Sequence, residues 1–506
     1  MPLPEDVVFE ILKWCEYRSV ISIRLISKGC FEMTTIRLIW VLLVRDYINA
    51  NNQTRIRYIV ERPISTYTTS ELELLVKRWA KAECAWLNLS GRSPMFASRQ
   101  FKLHSPSFGL HPDISTSFLV PGGRYFIEFG IDASALYYDL DSDTPSPLFL
   151  IYPVTGRFVQ DMTIFKPCVI STADNLSFHT GVCFLDSQHD RWTITLWRIC
   201  LSSTSSDLLH AEQTVSFFFE HPAYATLYME AMDLSSDQVG LYSSLSPQAG
   251  RDEPPCRAVT VLKWPEIVNH TGDFERRVIY VAENFTEVNI LPQQFFLAHS
   301  RTQTLLIGYH RSPVYTRTPT INELLSGFNH LRATRNLWPD FYKHLMTPDN
   351  ESIFSPPFVT QLRQNQNAYT VVHQTSLVGL NDNHCIPCAV EIRFQDNALP
   401  TEPPHVRLFD RVPASIGSCM DSRKLFTPPY GYRNGLLQFD ENEMKFRVYM
   451  TKDDEFCLEP KGSVRLGSHR RRIGGIIHSI DEGTGRILMY NPKTSQVSVF
   501  DFVDRE

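Results

Sequence analysis

From Phe101 onward the chain is written almost wholly in short β-prone runs cut by clusters of Gly, Pro, Asn, Asp and Ser. That texture constrains the fold more than any single motif. Runs such as Tyr125-Phe126-Ile127-Glu128-Phe129, Trp192-Thr193-Ile194-Thr195-Leu196-Trp197 and Val259-Thr260-Val261-Leu262-Lys263-Trp264 are strand-like, and no long amphipathic helical pattern interrupts them. With 32 Phe, 20 Tyr, 32 Pro and 23 Gly, the composition suits many strands joined by tight turns.

The spacing of these runs is regular enough to use. Strand-like units centre near Tyr138, Trp197, Lys263, Ile392, Val448 and Val499, with gaps of 59, 66, 129, 56 and 51 residues. The long gap leaves room for a seventh unit, and Ile307-Gly308-Tyr309 supplies a candidate. Seven units across residues 99–506 predict a large all-β domain, a seven-bladed propeller-like fold with four strands to a blade. The turn pattern Pro121-Gly122-Gly123-Arg124 and the hairpin from Ile476 to Tyr490 fit blade hairpins. No Gly-His…Trp-Asp signature recurs, so the repeat is divergent, and stacked β-sandwiches are the rival architecture.

The first fifty residues have a different period. Pro4, with its fixed φ, and the acidic pair Glu5-Asp6 suit the start of a helix carrying Val7, Val8, Ile11 and Leu12. Ser19 is a candidate cap for a second helix with Val20, Ile21, Arg24 and Leu25, and a third begins near Ser27-Lys28. A last apolar run, Leu38 to Leu43, contains Trp40. So small a helical set buries little area alone, and an apolar face left outward would be a partner surface.

The order Leu3-Pro4-Glu5-Asp6, Ile11-Leu12, Ile23-Arg24-Leu25-Ile26-Ser27-Lys28, then Leu38-Ile39-Trp40 with Leu43 resembles the F-box. The resemblance covers about a tenth of the chain. It departs from the family at Cys15-Glu16-Tyr17-Arg18, which lacks a Leu-Pro-x-x-Asp pattern, and at Gly29-Cys30. It implies a substrate-receptor subunit of an SCF ubiquitin ligase, an adaptor rather than an enzyme. A Skp-family adaptor, and through it a cullin, would bind the N-terminus at Leu3, Pro4, Ile11, Leu12, Leu25 and Trp40. The implied organisation is residues 1–48 as the box-like module, 49–98 as linker and connector helix, and 99–506 as the client-binding β domain. Within the connector, Ser70-Glu71-Leu72-Glu73 matches a capping box, with Leu72, Leu75, Val76, Trp79 and Trp86 on one side of the helix it starts.

A net charge of −6 argues against a generally basic nucleic-acid surface. Leu38 to Val44 is the longest apolar run, far short of the ~20 residues of a membrane helix. The acidic N-terminus is unlike a signal peptide, and eleven dispersed cysteines are unlike a disulfide scaffold, so a cytoplasmic or nuclear protein is expected. No phosphate loop, dinucleotide fingerprint, nucleophile elbow or His-Glu-x-x-His pattern occurs, and no cofactor is expected. Cys385-Ile386-Pro387-Cys388 lacks the second pair a zinc site needs and reads as two loop cysteines, so no metal is expected. Asp141 and Asp143 read as solvated turn residues. The run Arg470-Arg471-Arg472, flanked by Gly467 and Gly474, is the candidate client site, suited to a phosphorylated or acidic segment. Two readings from other classes stay open: a propeller enzyme with an appended helical segment, and a Skp-binding subunit that never reaches a cullin.

Overall fold

The computed structural model describes residues 4–54, 58–87, 97–103, 117–130, 132–153, 159–170, 175–186, 191–201, 208–220, 225–234, 237–247 and 256–267. It also describes the strands between 276 and 465 by their backbone, and residues 476–481, 483–491 and 494–501. A small helical unit precedes a body made of antiparallel sheets.

The helices are α1 (Glu5–Leu12), α2 (Tyr17–Arg24), α3 (Lys28–Thr34), α4 (Arg37–Thr54) and α5 (Thr69–Leu87). Pro4 is the N-cap of α1, and Ser27 caps α3 by accepting from the Cys30 amide at 3.2 Å. Two expected starts move. Helix α2 begins at Tyr17 after Glu16, which leaves Ser19 inside the helix. The capping box of α5 is Thr68 with Glu71, two residues earlier than expected: the Thr68 amide donates to Glu71 Oε2 at 2.7 Å and the Glu71 amide to Thr68 Oγ1 at 3.3 Å.

The boundary expected at residue 48 also disappears, because α4 runs unbroken to Thr54. Its Tyr47 and Ile48 pack on a core shared by Leu12, Val20, Trp40, Val44, Tyr58, Tyr67, Leu72, Val76 and Trp79. Tyr47, Tyr58 and Trp79 form a ring cluster with centroids 4.8–5.6 Å apart. The box-like segment and the connector helix are therefore one packed unit rather than a module and a linker.

Seven sheets follow among the described residues, numbered here in chain order. Sheet I holds Ser117–Leu119, Tyr125–Phe129, Ala135–Asp139 and Pro147–Ile151; sheet II holds Val159–Val169, Ser177–Asp186, Arg191–Leu201 and Leu209–Glu220. Sheet III holds Ala225–Leu234, Gln238–Pro247, Cys256–Lys263 and Arg276–Val281, with Val314–Tyr315 added at its edge. Sheet IV holds Phe285–Leu291, Phe295–Ser300 and Leu305–Tyr309. In sheet V, Ser352–Phe354 and Phe358–Arg363 both pair with Ala368–Val378, followed by Asn383–Arg393 and His405–Phe409. Sheet VI holds Leu425–Phe426, Gly435–Asp440, Glu443–Lys452 and Glu455–Arg465. Sheet VII is completed from both ends of the β region: Ile476–Asp481, Arg486–Asn491 and Gln496–Asp501, with Ala97–Lys102 paired antiparallel to the last of these.

Tyr138, Trp197, Lys263, Ile307, Val448 and Val499 lie in the third strands of their sheets, as does Ile392 in the run Asn383–Arg393. The spacing seen in the sequence is the spacing of these sheets. Cys385 and Cys388 fall in that same strand of sheet V, so they are strand residues and not the loop pair expected.

The packing of sheets VII, I, II and III has the logic of a propeller and not of a sandwich, whose sheets bury one face each. In sheet I, Tyr125, Ile127, Phe129 and Tyr137 share a core with Phe178, Val182 and Trp197 of sheet II. The alternate residues Phe126 and Tyr138 share another with Leu488, Tyr490, Val497 and Val499 of sheet VII. Sheet II is likewise covered by sheet III through Trp192, Ile194, Leu196, Val239, Leu241 and Trp264. This explains why Tyr125 to Phe129 is apolar at nearly every position instead of alternating. The first strands of sheets VII, I, II, III and IV also touch one another in that order.

Candidate functional site

Among the described residues, exposed apolar side chains are unevenly spread. Of the fourteen large hydrophobic side chains exposed among the described residues, eight lie between Val7 and Leu38. They are Val7, Ile11, Trp14, Leu25, Ile26, Phe31, Ile36 and Leu38.

Helix α1 supplies Val7 and Ile11 because it is apolar on two sides, and Trp14 follows in the turn that ends it, its amide donating to the Ile11 carbonyl at 3.0 Å. Leu12 is 1% exposed and, with Val8 and Phe9, faces the helical core. Val7 and Ile11, at i and i+4, share one side of the helix, and Trp14 continues that exposed side just past its end, 90% exposed. Between α2 and α3 the chain turns outward at Leu25 and Ile26, which are 81% and 72% exposed.

A polar anchor holds that turn in place. The Arg24 guanidinium points inward, donating to Glu73 of α5 at 2.6 and 3.1 Å and to Thr34 Oγ1 at 3.0 Å. It also lies 5.3 Å from the Trp40 ring centroid and 5.5 Å from that of Phe31. Trp40 donates its indole N–H to the Thr34 carbonyl at 2.8 Å. With Arg24 fixed inward and Ser27 starting α3, the two residues between them have nowhere to go but out.

The residues expected to meet an adaptor therefore separate into two sets. Pro4, Ile11 and Leu25 are at the surface, while Leu3 lies outside the described residues. Leu12 and Trp40 are corrected: both are buried, Trp40 completely, and they hold the helices together instead of facing a partner. Trp14 and Ile26 were missed in the sequence. The signal was there, as apolar residues one turn beyond Ile11 and immediately before the α3 cap, but periodicity alone does not say which side of a short helix faces out. Arg470, Arg471 and Arg472 lie outside the described residues. Arg276 and Arg277, adjacent basic residues, are strand residues of sheet III paired with Leu262 and Val261.

A second polar cluster joins sheets I and VII. The fully buried Arg486 donates to Asp501 Oδ1 at 2.6 Å, to Asp141 Oδ1 at 2.9 Å and to the Gly123 carbonyl at 2.5 Å. Arg99 meets Asp501 from the other side at 2.5 Å. Burial works to raise the Asp501 pKa, but the Arg486 guanidinium, helped by Arg99, holds the carboxyl below its ordinary value. Asp141 is thus no solvated turn residue, since it bridges Arg486 and Arg78 of α5. Gly122 and Gly123, at φ 97° and 74°, make the approach possible, because a side chain at Gly123 would collide with Thr484 and Asp481. Among the described residues no group of three or more His, Cys, Asp or Glu could hold a metal ion, and no helix is long and apolar enough to cross a membrane.

No family model and no curated protein sequence matches the chain. Among solved structures it is similar to the β-propeller domain of Cps50 (Swd1) from Myceliophteria thermophila, at 9% identity over 76% of this chain and 95% of that one, with a TM-score of 0.36. It is also similar to the WD40 domain of SCAP from fission yeast, at 9% identity over 77% and 82%, with a TM-score of 0.34. A Penicillium chrysogenum α-L-arabinanase matches at 10% identity over 81% and 99%, with a TM-score of 0.32. The propeller-like architecture rests on the sheet order and packing described above, and these likenesses add no argument to it.

Proposed function

We propose that this protein is a substrate receptor of an SCF-type ubiquitin ligase. Its helical unit binds a Skp-family adaptor, and the β region closes as a seven-bladed ring that holds a client protein. The observation that carries the reading is the exposed stripe Val7-Ile11-Trp14 together with Leu25 and Ile26, in a segment whose residue order resembles the F-box. Apolar surface removed from water contributes about 25 cal/mol per Å², and an aromatic side chain offers roughly 150–250 Å². Leaving Trp14 and Leu25 in water is a standing cost that a partner would relieve. The ring is supported by the pairing of Ala97–Lys102 with Gln496–Asp501, which ties the two ends of the β region into one sheet.

The mechanism is proximity. No covalent step is assigned to this chain; it brings a client's lysines to high effective concentration near the conjugating enzyme. Replacing Ile11 and Trp14 by Asp should abolish capture of the Skp-family adaptor while the circular dichroism spectrum stays unchanged, since neither side chain belongs to the buried helical core. Undiminished adaptor recovery sinks the assignment. Adaptor recovery from the wild type without cullin identifies instead a Skp-binding subunit outside any ligase.

A further inference from the structure

Among the described residues the helical unit meets sheets I and II at their first hairpin turns and at the turn after the third strand of sheet I, and α5 also lies against Glu455–Arg465 of sheet VI. Two separate polar anchors hold it at sheets I and II. In the segment before α5, Glu61 accepts from Arg124 at 2.6 Å, and its carbonyl accepts the Leu176 amide at 2.9 Å. Ile59, beside it, lies 3.7 Å from where a Cβ on Gly122 would stand and packs into the core between sheets I and II. On α5 itself, Arg78 pairs with Asp141 at 3.3 Å.

We propose that Glu61 and Arg78 are positioning residues, which fix the angle between the adaptor-binding helices and the β region. One contact would leave the unit free to pivot, whereas two contacts from different elements set its orientation. The proposal rests on the adaptor reading for its consequence: the distance from adaptor to client is set by this mount and not by linker length.

The charges on the β side each have a second partner, which makes the mount separable from the fold. Arg124 also binds Asp139 at 2.9 Å, and Asp141 also binds Arg486 at 2.9 Å. Removing Glu61 and Arg78 strands neither of them. These pairs are part-buried, so they are less screened than surface ion pairs.

The test is the full-length double variant Glu61→Gln, Arg78→Gln. Amide hydrogen exchange at residues 58–67 and at Leu176 should speed at least tenfold, while residues 486–501 exchange as in the wild type. Fluorescent labels at Lys28 and Phe149, both exposed, should report one narrow distance distribution in the wild type and a broadened one in the variant, with adaptor capture retained. An unchanged distribution with unchanged exchange overturns the mount. Equal acceleration in residues 486–501 also overturns it, because the pairs would then serve stability at large. Failure of the wild type to capture the Skp-family adaptor would end the ligase reading, and the exchange and distance arms would still decide the mount.

Discussion

Two polar-apolar anomalies among the described residues are mirror images. On α1 to α3, apolar side chains that a self-sufficient domain would bury stand in water. At the junction of sheets I and VII, charges that a domain would leave in water are buried, with Arg486 fully enclosed. The first arrangement stands open among the described residues, and it is the face on which the proposed adaptor would dock. The second is satisfied within the chain, by Asp501, Asp141 and the Gly123 carbonyl, and so points inward. Asp141 and Arg486 are 345 residues apart, and a charge network with fixed geometry accepts one register between such distant segments. Here we take buried charge to serve specificity of closure, at some cost in stability compared with an apolar seam.

The largest effect should come from breaking the inward-facing cluster. Arg486→Ala removes the guanidinium that donates to Asp501, Asp141 and the Gly123 carbonyl, and should cost about 3–5 kcal/mol in denaturant unfolding. A loss under about 1 kcal/mol would show that the cluster is not the closure. The cluster also has a pH signature. Because Asp501 is held below its ordinary pKa when folded, its contribution is complete above the unfolded carboxylate value of about 4 and is lost as pH falls through the depressed value. Asp501→Asn should therefore flatten the acid limb of the stability profile.

Adjacent residues on α1 sharpen the contrast at intermediate size. Leu12→Ala opens a cavity in the helical core and should destabilise that unit by about 2–4 kcal/mol. Ile11→Ala trims an exposed side chain outside the helical core and should change stability by less than about 0.5 kcal/mol, while lowering adaptor affinity. Equal stability losses from the two would mean that α1 has no outward face.

Much of the β region was legible because its signal is repetitive. The third strand of each sheet is β-prone, so Tyr138, Trp197, Lys263 and their counterparts mark the sheets at a readable interval. The seam between sheets I and VII was not legible. Asp141, Gly123 and Arg486 are ordinary turn and strand-end residues until the chain ends meet, and only then do they share one enclosed site. At the candidate binding face, the segment was legible and the orientation was not: the same four-residue apolar group in α1 contains Leu12, which is core, and Ile11, which is surface.

The smallest expected effect tests how a helix start is chosen when the sequence offers two. Thr68-x-x-Glu71 and Ser70-x-x-Glu73 both fit a capping box, and local rules cannot rank them. The choice is made from a distance, since Arg24 claims both carboxylate oxygens of Glu73 across 49 residues and leaves Glu71 to cap. Glu71 is held below its ordinary pKa by the Thr68 amide, with help from Arg62, as a carboxylate engaged in capping should be. Thr68→Ala should then cost about 1 kcal/mol, and Ser70→Ala less than about 0.5 kcal/mol, in equilibrium unfolding. Adding Arg24→Ala should erase that difference by releasing Glu73 to compete for the cap, at the price of exposing the Leu25-Ile26 turn to disorder. If Ser70→Ala proves the costlier change in the wild-type background, the long-range pair does not select the start of α5, and the link between the outward turn and the connector helix is broken with it.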